Sequence, residues 1–180
     1  MSSRVFDQNV MKGSIGEQRV RDWLATHGFV VSDVSGPVWR VDVVDKRYFC
    51  VDLMAFGGGQ TFLIQVKHKD PTIHTRNPLT GLERVKWNEL IVRNRDAGVG
   101  MALIFTDSHE GKACHTCEGR HFNDIYGEWV SRLLTTPKAS NDFPNSNGGP
   151  LTMWHRSDLR DVHHLFKLGE RQPEQIGMAL

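Results

Sequence analysis

Residues 51–69 read VDLMAF, GGGQ and TFLIQVKHK in succession. Apolar, β-favouring side chains stand on both sides of a glycine run, which predicts strands at 49–56 and 61–67 joined by a hairpin at 57–59. Strand side chains alternate between faces, so Gln65 and Lys67 project from one face of the second strand. Asp52 falls in the antiparallel partner strand, between Val51 and Leu53. A carboxylate in such apolar company needs a reason: solvation at a strand end, an ion pair with Lys67, or a metal ion. Taken singly, each of these residues is ordinary. The order Asp, twelve residues, then Gln-x-Lys is what makes the stretch informative.

Working outward, a further strand is expected at 39–44, turned into the next by Asp45, Lys46 and Arg47. Before it, a helix runs from Ser14 to about His27, with Val20, Trp23, Leu24 and His27 at i, i+3, i+4 and i+7 and Gly28 as the stop signal. Residues 1–12 read as a loose leader. Downstream, Pro71, Asn77, Pro78 and Gly81 mark a loop at 70–81. A helix follows at 82–97, with Leu82, Val85, Trp87 and Leu90 facing inward. The almost wholly apolar run 99–105 is then a central, buried strand. The first hundred residues thus give helix, three-strand meander, helix, strand: an α/β organisation with a mixed sheet. Past Thr106 comes an irregular insertion at 107–124, a short helix at 125–134 and a Pro/Gly/Asn/Ser-rich stretch at 135–150. An edge strand at 151–155 and a helix at 157–168, capped by Ser157, close the reading. The whole is one domain, 1–180, with its core at 12–106 and 151–168.

The bulk numbers restrict the function. A chain of 180 residues, 39% hydrophobic and 24% charged, has the make-up of a globular protein able to bury a core. It contains no apolar run of the roughly 20 residues that a membrane span needs, and it starts without the apolar segment of a signal peptide. A cytoplasmic protein with no membrane partner is the expectation. Three cysteines do not make a disulfide framework there. The net charge of +1 gives no support for nucleic acid, yet 67–95 carries +4 while the remainder sums to −3. A basic stretch of this kind suits a phosphate backbone, and equally a solvated helix face.

On the first helix Glu17 shares the stripe of Val20 and Leu24 and so points at whatever the helix packs on. Two readings of it stand. Ser14-Ile15-Gly16-Glu17 is a capping box in which Glu17 closes the start of the helix, or Glu17 joins Asp52 as a metal ligand. The segments GSIGEQRVRDWLATHGFVV (13–31), VDLMAF and TFLIQVK together resemble the PD-(D/E)XK, or restriction-endonuclease-like, nuclease superfamily. Within it the likeness is greatest to the Holliday-junction resolvases and the Mrr-like restriction nucleases. It spans 12–105, with a weaker echo at 151–166.

The resemblance implies a restriction-endonuclease-like αβββαβ core with a mixed central sheet flanked by helices. It implies a metal-dependent endonuclease acting on duplex or branched DNA, a homodimer where a four-way junction is cut. Glu17 and Asp52 would bind Mg²⁺ (or Mn²⁺), with Gln65 and the carbonyl of Val66 completing the set. Lys67 would orient or deprotonate the attacking water. The departure is Gln65, where the family usually has Glu or Asp. The amide keeps an oxygen but removes one negative charge, which weakens metal binding and leaves a non-catalytic, nucleic-acid- or protein-binding module as the alternative. His68, Lys69 and Arg76 follow the active-site strand and are candidates for contact with the DNA backbone. His109, Cys114, Cys117 and His121 are spaced as a possible structural Zn²⁺ set, or as an ordinary loop. Cys50 reads as a core residue.

Overall fold

The computed structural model describes residues 3–34, 51–69, 79–107, 125–139 and 149–166, the side chains of 3–12, Lys69 and Asp107 apart. Helix α1 (Ser3–Thr26) leads into strand β1 (Val30–Asp33), followed by β2 (Leu53–Gly57), β3 (Gln60–Lys69) and β4 (Leu79–Glu83). Helix α2 (Arg84–Asp96), strand β5 (Gly100–Asp107), strand β6 (Ile125–Trp129) and helix α3 (Val130–Thr135) come next. Strands β7 (Leu151–His155) and β8 (Arg160–Asp161) precede helix α4 (Val162–Leu165). Six strands form one sheet in the order β1-β2-β3-β5-β6-β8, and β4 pairs with β7 in a separate ribbon. Among the described strands only β3 and β5 run parallel, so the sheet is mixed and has the expected α1-β1-β2-β3-α2-β5 core.

Alternation along β3 divides the core in two. Phe62, Ile64 and Val66 pack with Val20 and Leu24 of α1, Phe29, Trp129 and Phe166 on one face. Leu63 faces the other, with Trp87 and Leu90 of α2, Leu133 of α3 and Trp154 of β7. Phe62 is the hinge of the first cluster, with ring centroids 5.4 Å from Trp129 and 5.5 Å from Phe166. Each such buried side chain contributes about 1.5–3 kcal/mol. Strand β5 is buried from Met101 to Thr106, as its unbroken apolar run requires of a central strand. Strands β2 and β3 meet at Gly57↔Gln60, which leaves Gly58 and Gly59 as a two-residue turn with φ of 59° and 75°. Positive φ at both positions is the type I′ geometry, and it is why glycines stand there.

Several expectations are corrected. Helix α1 begins at Ser3 and runs through Gly13, so residues 3–12 are not a loose leader. An interior glycine costs only about 1 kcal/mol, and α1 carries two, Gly13 and Gly16, without being stopped. Ser14 is therefore mid-helix, and Glu17 is not part of a capping box. The meander's first strand is β1, while the strand expected at 39–44 lies outside the described residues. Asp52 stands just before β2 rather than within a strand. Residues 79–83, expected to be loop and helix start, form β4, because their partner β7 lies about seventy residues away and leaves no local trace. Val85 points outward, at 68% exposure. The helix expected at 125–134 is strand β6 up to Trp129 and helix only afterwards. A short apolar run has no period that separates the two. The helix expected at 157–168 is a 3-10 turn at Arg156–Asp158, then β8, then α4. Its cap is Asp161, whose carboxylate accepts the His163 N–H at 2.9 Å, and not Ser157. The edge strand expected at 151–155 is β7. No helix among the described residues is long and apolar enough to cross a membrane.

Candidate functional site

The site exists because β2 is shorter than β3. Their ladder ends at Leu53↔Ile64, yet β3 continues to Lys69. Within a strand the N–H and C=O of one residue point to the same edge, so both groups of Val66 face the place where β2 has already stopped. Side chains take over from the missing strand. The Val66 N–H donates to Asp52 Oδ2 at 2.7 Å. Gln65 donates through Nε2 to the Val66 carbonyl at 3.0 Å and to the same Asp52 oxygen. The backbone of Asp52 is fixed on both sides, by its N–H to Ile64 O and by its C=O accepting from Val34, each at 2.9 Å. The carboxylate is thus held by the chain on either side of it.

Helix α1 brings Glu17 to this edge. Gly16 makes the approach possible: a β-carbon there would lie 2.7 Å from Cβ of His68 and 2.9 Å from Oγ1 of Thr106. The helix therefore sits directly on β3 and β5. Burial, reinforced by the neighbouring Asp52 and Asp33 carboxylates, raises the Glu17 carboxyl above its ordinary range, while Arg21 and Lys67 pull it down and lose. Burial also raises Asp52 above its ordinary range, against the Val66 N–H, Lys67, Lys86 and Gln65. Lys67 is lowered by burial first and by the facing ammonium of Lys86 second, against Asp52 and Glu83. Two carboxyls that resist ionisation beside a lysine that resists protonation form a perturbed cluster of the kind found where chemistry is done.

Sequence reading missed Glu83 and Lys86. Glu83 ends β4 and is the N-cap residue of α2, yet its side chain caps nothing. It accepts from Lys86 Nζ at 3.2 Å. Burial would raise the Glu83 carboxyl, but its own backbone N–H and the ammoniums of Lys86 and Lys67 outweigh burial and hold it below the ordinary range. The E-x-x-K spacing was visible in the sequence. Its position beside Lys67 was not, because that depends on the β4–β7 ribbon.

The donor chemistry fits a hard divalent cation. Asp52 Oδ2 and the Val66 carbonyl converge on a single point, which in this structure is filled by the amide nitrogen of Gln65. A half-turn of that amide would present its oxygen instead, at no steric cost. Asp52, Val66 O, Gln65 Oε1 and Glu17 are all oxygen donors, as Mg²⁺ and Mn²⁺ prefer, and Mg²⁺ keeps several waters when only one or two carboxylates bind it. Among the described residues no three His, Cys, Asp or Glu side chains come together to hold a metal, so a cation here depends on the amide and the carbonyl.

The other anticipated residues separate. His68 faces α1, and its Nδ1 is 2.7 Å from Thr106 Oγ1. Lys69 closes β3. Cys50, Arg76, His109, Cys114, Cys117 and His121 lie outside the described residues.

With this geometry in view, the chain has the α/β, restriction-endonuclease-like fold: a mixed sheet flanked by helices, with its polar cluster where β2 ends and β3 runs on. Among solved structures it is similar to Hjc, a Holliday junction resolvase from the archaeal hyperthermophile Archaeoglobus fulgidus, with a TM-score of 0.51 and 15% sequence identity. The likeness covers 87% of this chain and 98% of that one, and at this identity it is a likeness of fold. No family model and no curated protein sequence matches the chain.

Proposed function

We propose that this chain is a single-domain, metal-dependent endonuclease that hydrolyses DNA phosphodiester bonds, with branched DNA as its preferred substrate. One observation carries the reading: Asp52, Gln65 and the Val66 carbonyl meet at one point on the open edge of β3, with Lys67 beside them. Glu17 faces the same edge from α1. Glu17, Asp52, Gln65 and Val66 O would hold Mg²⁺ or Mn²⁺. When bound, the cation supplies Lewis-acid polarisation of the phosphodiester and lowers the pKa of a coordinated water. Lys67 acts at Nζ, orienting the attacking water or accepting its proton and offsetting charge on the phosphate. Lys69, the last residue of β3, and Arg76, beyond it in sequence, are assigned to the DNA backbone. The resolvase-like fold supports branched DNA, and two symmetric cuts across a four-way junction call for a homodimer.

A second reading is favoured by the same amide. Because Gln65 already satisfies Asp52 and the Val66 carbonyl, the site is stable without a cation, as a DNA-binding module without catalysis would require. Cleavage separates the two. Purified protein is incubated with a labelled four-way junction, a linear duplex and single-stranded DNA in Mg²⁺, Mn²⁺ or EDTA, alongside Asp52→Asn and Lys67→Ala. Metal-dependent cutting lost in both variants, with the junction cut best, is the expected result. If all three substrates stay intact in both metals while the protein binds DNA, the binding-module reading replaces it.

A further inference from the structure

The mechanism so far leaves Lys86 unused, although it stands at the same site. It lies in the first turn of α2, within interaction range of both Lys67 and Asp52. Its ammonium is 3.2 Å from Glu83 Oε1. Both side chains are about one-third exposed, at 34% and 37%, so the pair can be reached from solvent. A partly exposed pair of this kind is weak and easily exchanged. Glu83 completes the picture: it stands at the N-cap position of α2, makes no side-chain cap hydrogen bond, and accepts from Lys86 instead.

We propose that Lys86 is a phosphate-contacting residue of this site, and that Glu83 is the internal anion which occupies its ammonium until a DNA phosphate replaces it. The inference rests on the nuclease-site reading above and deepens it. Two ammoniums facing each other, with the Glu83 carboxylate acting on both, form a receptor for one anionic oxygen. Lys67 serves the phosphate at the point of cleavage. Lys86, offset from it on α2, serves the same phosphate or its neighbour. A compact ammonium recognises phosphate as a point charge, so arginine conserves the contact and glutamine does not.

The test is DNA binding without cleavage. Affinity of the full chain for a labelled four-way junction is measured in EDTA between 50 and 200 mM salt, for wild type, Lys86→Gln, Lys86→Arg, Glu83→Gln and Arg95→Gln. Arg95 is an exposed α2 residue paired with Asp96, away from the site, and serves as the control. One phosphate contact contributes about 0.9 to the slope of log affinity against log salt. Lys86→Gln is expected to flatten the slope by about that amount and to weaken binding about tenfold. Lys86→Arg keeps the slope, Arg95→Gln leaves it unchanged, and Glu83→Gln binds more tightly with the wild-type slope. A slope in Lys86→Gln equal to wild type overturns the proposal, as does a wild type that binds no DNA. Should wild type bind with a Lys86-dependent slope yet cut nothing in Mg²⁺ or Mn²⁺, the catalytic reading fails and the phosphate contact stands.

Discussion

Replacing Gln65 by glutamate adds the charge that the sequence resemblance to PD-(D/E)XK nucleases leads one to expect at this position, and the structure says what that does. In the wild type the amide nitrogen donates to two acceptors, Asp52 Oδ2 and Val66 O. Gln65→Glu removes both donors and sets a second carboxylate against Asp52, which is already held above its ordinary range. Leaving a buried acceptor unsatisfied costs about 1–3 kcal/mol, and the charge repulsion adds to that until the new carboxyl takes up a proton. A net loss of about 2–4 kcal/mol follows, which for a domain of this size lowers Tm by roughly 4–16 °C. The sign with pH is fixed. A carboxyl whose folded pKa lies above its unfolded value, about 4.3 for glutamate, carries no penalty while protonated in both states. The penalty appears as pH rises through the unfolded value and is complete above the folded one.

Metal should reverse the loss, since a second carboxylate now stands beside Asp52 and the Val66 carbonyl where the Gln65 amide nitrogen sat. A cation present at 100 times its Kd stabilises the folded state by about 2.7 kcal/mol. The assay is a thermal melt of Gln65→Glu and wild type in EDTA and across Mn²⁺ and Mg²⁺ titrations, at pH 5 and pH 7.5. The variant is expected to melt well below wild type in EDTA at pH 7.5, to approach it at pH 5, and to recover with metal more than wild type does. A variant as stable as wild type in EDTA at pH 7.5, or one that metal fails to rescue, would refute the argument that the amide stands in for a cation.

Two further predictions concern the supporting structure. Gly16→Ala gains about 1 kcal/mol in helix propensity, but its methyl group meets the rigid Cβ of His68 at 2.7 Å. Overpacking costs about 1–3 kcal/mol. A modest fall in Tm with a much larger fall in cleavage is expected, because lifting α1 carries Glu17 away from Asp52; equal activity at equal stability would show that α1 does not set the site. In the second, raised folded values at Glu17 and Asp52 mean that their net contribution to stability is lost as pH rises through those values in the absence of metal. Cation binding then displaces protons, so Mn²⁺ affinity should rise from pH 5 to pH 7.5, with proton release read from the buffer dependence of the binding enthalpy. A pH-independent affinity would exclude one or both carboxyls from the ligand set.

What could be read from the sequence follows the range of the forces involved. The β2–β3 hairpin, the buried β5 and the inward stripe of Val20 and Leu24 depend on local periodicity and turn chemistry, and all three stand. Three of the failures share one cause. Strand β4 depends on β7, β6 on β5, and the place of Lys86 on the β4–β7 ribbon, so each is settled by pairing across long separations. At the candidate site, spacing singled out Asp52, Gln65 and Lys67, but only the register explains how they come together. Had Asp52 been inside β2, as its neighbours suggested, backbone groups would have satisfied Val66 and left the carboxylate no part in holding it. It is the early end of β2 that frees both polar groups of Val66 and gives Asp52 and Gln65 something to bind. Seen this way, glutamine at 65 is not simply a weakened glutamate. On the proposed reading it exchanges one unit of ligand charge for hydrogen bonds that are already made, so the open edge of β3 is held together by the chain's own groups.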